Sequence, residues 1–125
     1  MSDAPGLTVE HVRGTVTVVA VTGELDHHSS PGLRSGVLEL VRGGHPHVVL
    51  DVSGVAFCDS SGLSALINLW HNARADGGSL VLCSVPGRLD RLLRMTGLDQ
   101  ILARASTVEE ALAGHPALRD ADGPG

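Results

Sequence analysis

The sequence predicts an α/β fold with a mixed, mostly parallel sheet of roughly four to five strands and about four helices. Two patterns carry this prediction: β-branched apolar segments of strand length, and amphipathic segments of helix length that alternate with them. Such alternation implies parallel strands joined by right-handed helical crossovers. The first two strands follow each other without a helix, so an antiparallel hairpin is expected at the N-terminal end.

The hairpin and the first helix occupy the N-terminal third of the chain. The hairpin strands are expected at 7–12 and 15–22, where β-branched residues are frequent. Ser30 suits the N-cap and Pro31 the first position of the helix that follows. Its apolar stripe recurs at helical spacing and consists of Leu33, Val37, Leu40 and Val41.

The remaining elements keep the same alternation. They are, in order, a strand at 47–52, a helix from Ser60 or Ser61 to about Asp76, a strand at 79–83, a helix opened by Pro86 and a short strand at 100–104. Thr107 and Glu110 match a Thr-x-x-Glu capping box and predict a last short helix. One domain is expected over residues 7–113, with flexible termini at 1–6 and 114–125.

The composition excludes several kinds of function. A net charge of -5 argues against nucleic acid or an anionic membrane as the main partner. All nine basic residues are arginines, so the lysine that a Walker-type phosphate loop or a Schiff base requires is missing. Phe57 and Trp70 are the only Phe, Tyr or Trp residues, too few for a base-stacking surface.

Nothing in the sequence predicts a cofactor, a metal site or a membrane segment. Cys58 and Cys83 form no Cys-x-x-Cys pair, which favours a reduced, cytoplasmic chain. The histidines at 27–28 and at 45 and 47 lack the spacing of metal ligands and are interpreted as surface or turn residues. No apolar stretch approaches the roughly 18 residues of a bilayer span.

The helix that begins near Ser61 has an outer face without charged residues. At about 100° per residue, the larger apolar side chains fall opposite Ser61. The predicted core face therefore consists of Leu63, Leu66, Ile67 and Trp70. The predicted outer face consists of Ser61, Ser64, Ala65, Asn68 and Asn72. Because charge is depleted in the cores of protein interfaces, this face favours contact with a protein partner over plain exposure to solvent.

The loops after the second and third strands leave the sheet at the same edge if those strands are neighbours. Asp26 and Ser61 then lie together where the sites of open α/β sheets gather. From the residues alone, Ser61 is as readily a helix cap, Asp59 a cap or a first-turn acid, and Asp26 an exposed loop residue.

The segment 50–70, LDVSGVAFCDSSGLSALINLW, resembles the signature of STAS domains, and specifically that of bacterial anti-sigma factor antagonists. The segments GELD at 23–26, RMTGLDQIL at 94–102 and TVEEAL at 107–112 fit the same family in the same order. The resemblance extends over roughly residues 7–113, nearly the whole chain.

The resemblance implies a protein-binding module controlled by phosphorylation. Unphosphorylated members of the family bind an anti-sigma factor that is also a serine kinase, and the sigma factor is thereby freed. The kinase phosphorylates the second Ser of DSSG, here Ser61, which ends binding, and a metal-dependent serine phosphatase reverses the modification. Asp26 matches the partner-facing Asp of the family, while Ser60 is the helix cap or, alternatively, the acceptor.

The expected partner-binding surface combines the family motif with the outer face of the helix. It consists of Asp26, Asp59, Ser60, Gly62, Ser64, Ala65, Asn68 and Asn72. Phosphorylation is expected to act locally there, through charge and bulk, because the backbone N–H groups of a helix N-terminus tolerate the added charge. A monomer or a weak dimer is expected.

Two other functions compare with this one: an enzyme that uses Ser61 as a nucleophile, and a ligand-binding or scaffold domain. A nucleophile elbow would require Gly-x-Ser-x-Gly, but the residue two before Ser61 is Asp59, and no spacing brings His28 or His71 to Ser61 as a base. The chain is therefore not expected to be an enzyme. The alternative function is a STAS domain that binds a small ligand or acts as a scaffold in a larger signalling assembly.

Overall fold

The computed structural model describes residues 6–121, without the side chains of 119–121. The strands are β1 (Gly6–Arg13), β2 (Val16–Leu25), β3 (His47–Cys58), β4 (Ser79–Cys83) and β5 (Ala103–Ala105). The helices are α1 (Ser30–Arg42), α2 (Ser60–Ala75), α3 (Gly87–Thr96), α4 (Val108–Ala113) and α5 (Pro116–Ala121), with a 3-10 helix at Leu98–Gln100. None of the helices in this part of the chain is long and apolar enough to span a bilayer.

One sheet of five strands holds them in the order β1-β2-β3-β4-β5. β1 and β2 are antiparallel and the other neighbouring pairs are parallel, so the predicted fold class and hairpin are confirmed. Side chains alternate along β3: Val48 and Leu50 pack in one core with α1, α2 and α3, and Val49 packs with α4 and α5 on the opposite face.

β2 and β3 run further than the sequence pattern indicated. They pair up to Leu25 and Cys58, instead of ending near residues 22 and 52. β4 pairs with β3 only as far as Asp51, so the last part of β3 has β2 as its single neighbour. In this overhang the buried residues Val52, Val55 and Cys58 are separated by pairs of exposed residues, so the continuous apolar run that marks a buried strand is missing there.

The C-terminal segment differs from the expected flexible terminus. Residues Pro116–Ala121 form α5, and Leu118 is buried in the second core. A single buried leucine after Pro116 is too short a pattern to predict a helix from sequence. Gly6 already belongs to β1. Residues 1–5 and 122–125 lie outside the described residues, so the expectation for them stays a prediction.

Candidate functional site

A hydrogen-bonded turn that contains Asp26 joins β2 to α1. The Asp26 carboxylate accepts hydrogen bonds from the backbone N–H groups of His28 at 3.0 Å and Ser29 at 3.1 Å. The Asp26 N–H donates to the Ser29 hydroxyl at 3.0 Å, and that hydroxyl donates to the Glu24 carbonyl at 2.5 Å. The bond from the Ser29 N–H, followed by that from His28, lowers the pKa of Asp26. Asp26 therefore fixes the shape of its own loop.

Asp59 caps the N-terminus of α2. Its carboxylate accepts hydrogen bonds from the backbone N–H groups of Ser61 at 2.8 Å and Gly62 at 3.2 Å. Of the alternatives that the sequence left open, Asp59 is thus the N-cap, and Ser60 and Ser61 are the first two residues of the helix. The Ser61 side chain is half-buried, and none of the hydrogen bonds found among the described residues involves its hydroxyl.

The two loops meet through a close backbone contact. Leu25 and Cys58 are register partners at the ends of β2 and β3, and the Asp59 N–H donates to the Leu25 carbonyl at 3.1 Å. A Cβ atom on Gly62 would lie 2.7 Å from both the Cys58 Sγ and the Leu25 carbonyl oxygen. Only glycine lets α2 begin this close to β2. The prediction that the two loops lie at one edge of the sheet is confirmed.

The buried face of α2 is rotated relative to the prediction. Its buried apolar side chains are Leu63, Ala65, Leu66, Leu69 and Ala73. Ile67 and Trp70, which were predicted to be core, are only half-buried. The reason is that α2 packs against α1 as well as the sheet, which turns the buried arc toward α1 by roughly a quarter of the circumference. Ala65, predicted on the outer face, is 2% exposed.

The other predicted partner residues differ in exposure. Ser60 and Ser64 are exposed, while Asn68 and Asn72 are half-buried and linked by a bond from Asn72 Nδ2 to the Asn68 carbonyl at 2.8 Å. Gly62 is buried at its contact with β2. Gly62 and Ala65 are thus buried beneath the surface and present no side chain to a partner, contrary to the prediction.

A groove of about 270 Å³ lies between α1 and α2 beside Ser61. We call it the Ser61 groove. Its lining includes Ser61 and Ser64 from α2, Ser30 and Arg34 from α1, and His27 from the preceding loop. Ser30 and Arg34 were not among the predicted site residues, although their i,i+4 spacing places them on one face of α1.

The two cysteines are buried thiols. Burial, with smaller contributions from nearby carboxylates, raises the pKa of Cys58 and of Cys83 to about 11 in each case. Both remain protonated at neutral pH and are poor nucleophiles. Within residues 6–118, where side chains are described, no group of three His, Cys, Asp or Glu side chains could hold a metal ion.

Residues 7–111 match the family model described as the STAS domain. The protein belongs to the STAS domain family. This STAS domain protein is 37% identical to the anti-sigma F factor antagonist of Paenibacillus polymyxa over 97 residues, which are 77% of this chain and 82% of that one.

Solved structures share the fold. An anti-sigma factor antagonist from Mycobacterium paratuberculosis superimposes with a TM-score of 0.78 at 30% identity, over 90% of this chain and 97% of that chain. The Bacillus cell fate determinant SpoIIAA in its phosphorylated form gives a TM-score of 0.68 at 23% identity, over 86% of this chain and 97% of that chain. The second likeness is one of fold alone.

Proposed function

We propose that this STAS domain protein is an anti-sigma factor antagonist whose binding is switched by phosphorylation of Ser61. The unphosphorylated form binds an anti-sigma factor that is also a serine kinase, and the sigma factor is set free. The observation that carries this proposal is that the Ser61 hydroxyl makes no hydrogen bond among the described residues. It lies in the first turn of α2, and the Asp59 carboxylate caps that helix in its place. The similarity to anti-sigma factor antagonists supports the same role.

The proposed partner-binding surface consists of the accessible side chains around Ser61. They are Asp26, Asp59, Ser60, Ser64, Asn68 and Asn72. The part on α2 carries no charge, which suits the core of a protein interface. The two carboxylates at its edge suit basic side chains of the anti-sigma factor, which would orient the complex.

Phosphorylation would end binding through local charge. The γ-phosphoryl group moves from ATP to Ser61 Oγ, the hydroxyl proton passes to a base of the kinase, and ADP leaves. The new group adds about -1.5 to -2 charges beside the Asp59 carboxylate and repels a surface that had accepted the neutral hydroxyl. The fold is kept, because the hydroxyl has no structural hydrogen bond among the described residues to lose. A serine phosphatase restores the binding form.

Ser61 is in this proposal a substrate, and the protein is not an enzyme. A nucleophilic serine needs a base within hydrogen-bond reach, and none of the hydrogen bonds among the described residues joins His27, in the same groove, to Ser61. We further infer that the protein is cytoplasmic and a monomer or weak dimer. Its net charge of -5 disfavours a nucleic-acid or anionic-membrane partner.

The alternative function, binding of a small ligand, is favoured by one feature. A second groove, of about 590 Å³, lies between the end of β3 and α3. Phe57, Leu92 and Met95 line it together with Arg88 and Arg91, so an apolar molecule with an anionic group would suit it. This groove would then be the functional site, and Ser61 would not be modified.

Mass spectrometry after incubation with ATP and the candidate anti-sigma kinases of the same genome tests the main proposal. One phosphate is expected on the wild type and on Ser60→Ala, which removes the alternative acceptor, and none on Ser61→Ala. The wild type should bind the same kinase before modification and lose binding afterwards. A phosphate retained by Ser61→Ala, or neither phosphate nor complex with any kinase, would contradict the proposal, and the second result would favour the ligand-binding alternative.

A further inference from the structure

The N-terminus of α2 is not free to receive a phosphoryl group on Ser61. The backbone N–H groups of Ser61 and Gly62 already donate to the Asp59 carboxylate. A phosphoryl group would have to displace this carboxylate, and the two anions repel each other at such short range. Helix N-termini commonly accept phosphate, but here the capping residue occupies that position. The group must therefore find its partners elsewhere.

The Ser61 groove offers a cation as an alternative partner. Arg34 projects from the exposed side of α1 and lines this groove. The ion pairs found among the described residues do not include Arg34, so none of the carboxylates described there competes for its guanidinium. Guanidinium groups bind phosphate oxygens in a two-pronged geometry and stay charged at any physiological pH. The groove volume of about 270 Å³ is ample for one phosphoryl group.

A second, independent feature of the groove is the hydroxyl of Ser30. Ser30 is 5% exposed, lines the groove one helical turn before Arg34, and its Oγ has no hydrogen-bond partner in the part of the chain that the structure describes. Buried hydroxyl groups without a partner are uncommon in folded proteins, and each one calls for an explanation. An anionic oxygen in the groove would supply the missing acceptor.

We propose that the Ser61 groove is an intramolecular receptor for the phosphoryl group of phosphorylated Ser61, with Arg34 as its counter-ion and the Ser30 hydroxyl as a hydrogen-bond donor. This inference rests on the proposed function, since it takes Ser61 as the acceptor. The phosphoryl group lies against α1, its charge is partly neutralised within the chain, and the modified domain keeps its fold. Arg34 is thus a positioning residue for the modified state.

Phosphoserine incorporated at position 61 during translation tests the receptor without any kinase. The measured quantity is the second pKa of the phosphoryl group, followed by ³¹P NMR as a function of pH. Free phosphoserine titrates near pH 6, and a guanidinium counter-ion lowers this value. Arg34→Gln should raise the pKa by about half a unit to one unit. Ser30→Ala should raise it by less.

Arg42→Gln is the matched control, because Arg42 lies on the same helix, two turns further on, and is also exposed. It removes the same charge from the same helix and should leave the pKa unchanged. An equal pKa in Arg34→Gln and the wild type, or an equal rise in both arginine variants, would overturn the receptor. Failure of every kinase to modify Ser61 would instead contradict the proposed function and would not alter this measurement.

Discussion

The Leu25 carbonyl group leaves no room for a side chain at Gly62, since a Cβ atom there would lie 2.7 Å from its oxygen. The same oxygen accepts the N–H of Asp59 at 3.1 Å. The carbonyl group at the end of β2 therefore binds the N-cap of α2 through a hydrogen bond and limits the side chain allowed in the first turn of that helix. Because Asp26 follows Leu25 and Ser61 precedes Gly62, this contact sets the distance between the two parts of the proposed partner surface.

Gly62→Ala should both destabilise the domain and displace α2. The added methyl group meets backbone and a buried thiol, which cannot move as a flexible surface side chain can. We expect the free energy of unfolding, measured by urea denaturation, to fall by about 1–3 kcal/mol. The affinity for the anti-sigma factor should also fall.

Gly87→Ala is the control for that substitution. Gly87 opens α3, and a Cβ atom there would meet no other atom within 4 Å. The free energy of unfolding of Gly87→Ala should stay the same or rise slightly, because alanine has fewer backbone conformations than glycine in the unfolded chain. A similar loss in both variants would show that the contact with Leu25 is not the cause.

Asp59→Ala should weaken α2 by removing its cap. Loss of an N-cap side chain costs about 0.5–2 kcal/mol of stability, whereas Asp59→Asn keeps an oxygen that can accept the same two N–H groups. Thermal unfolding should therefore separate the two variants. Asp76→Ala, at the opposite end of α2, serves as the control. If Asp59→Asn were as unstable as Asp59→Ala, charge rather than capping would explain the effect.

The strand and helix order could be predicted because its signals are local. The hairpin and the crossovers follow from residue periodicity and turn residues. The common loop edge of Asp26 and Ser61 required in addition that β2 and β3 be neighbours, which their pairing shows. The buried face of α2 could not be predicted in this way. Ala65 is buried because α1 lies beside it, and a small side chain is what allows that approach.

The same reasoning explains why the Ser61 groove was missed. Arg34 lies 27 positions before Ser61 in the chain, and only the packing of α1 on α2 brings the two side chains to one groove. The role of Asp59 was left open for a different reason. Asp and Ser both favour the N-cap, so three adjacent candidates gave no unique choice until the hydrogen bonds were known.

Asp26 should make the stability of the protein depend on acid. Its folded-state pKa is lowered, chiefly by the N–H of Ser29, so it stabilises the fold above its unfolded pKa near 3.9. That contribution is lost as the pH falls from about 4 through the folded pKa. Asp26→Asn keeps an acceptor oxygen but no charge, so the difference from wild type in urea denaturation should be present at pH 6 and shrink below pH 4. A difference that is constant with pH would contradict this.

His115 should make the docking of α5 sensitive to mild acid. The Ala117 N–H donates to His115 Nδ1 at 3.2 Å, so that nitrogen carries no proton. His115 Nε2 and His47 Nδ1 lie 3.4 Å and 2.9 Å from the same Ser79 hydroxyl, which can donate to only one of them. This arrangement requires neutral imidazole. Burial lowers the pKa of His115, with a smaller effect of His47, and burial also lowers the pKa of His47.

The sign of the pH effect follows from these lowered values. Well above pH 6.5 both rings are neutral in the folded and the unfolded chain. As the pH falls through the unfolded value of 6.5 the unfolded chain takes up protons first, so stability falls with decreasing pH. The protection factor of the Leu118 amide, which donates to the His115 carbonyl, should fall between pH 7 and pH 5, once the slower intrinsic exchange at lower pH is divided out. His115→Gln should reduce this fall, and the exposed control His11→Gln should not. An equal fall in all three proteins would mean that α5 opens without titration of His115, and the neutral ring would then have no part in holding it.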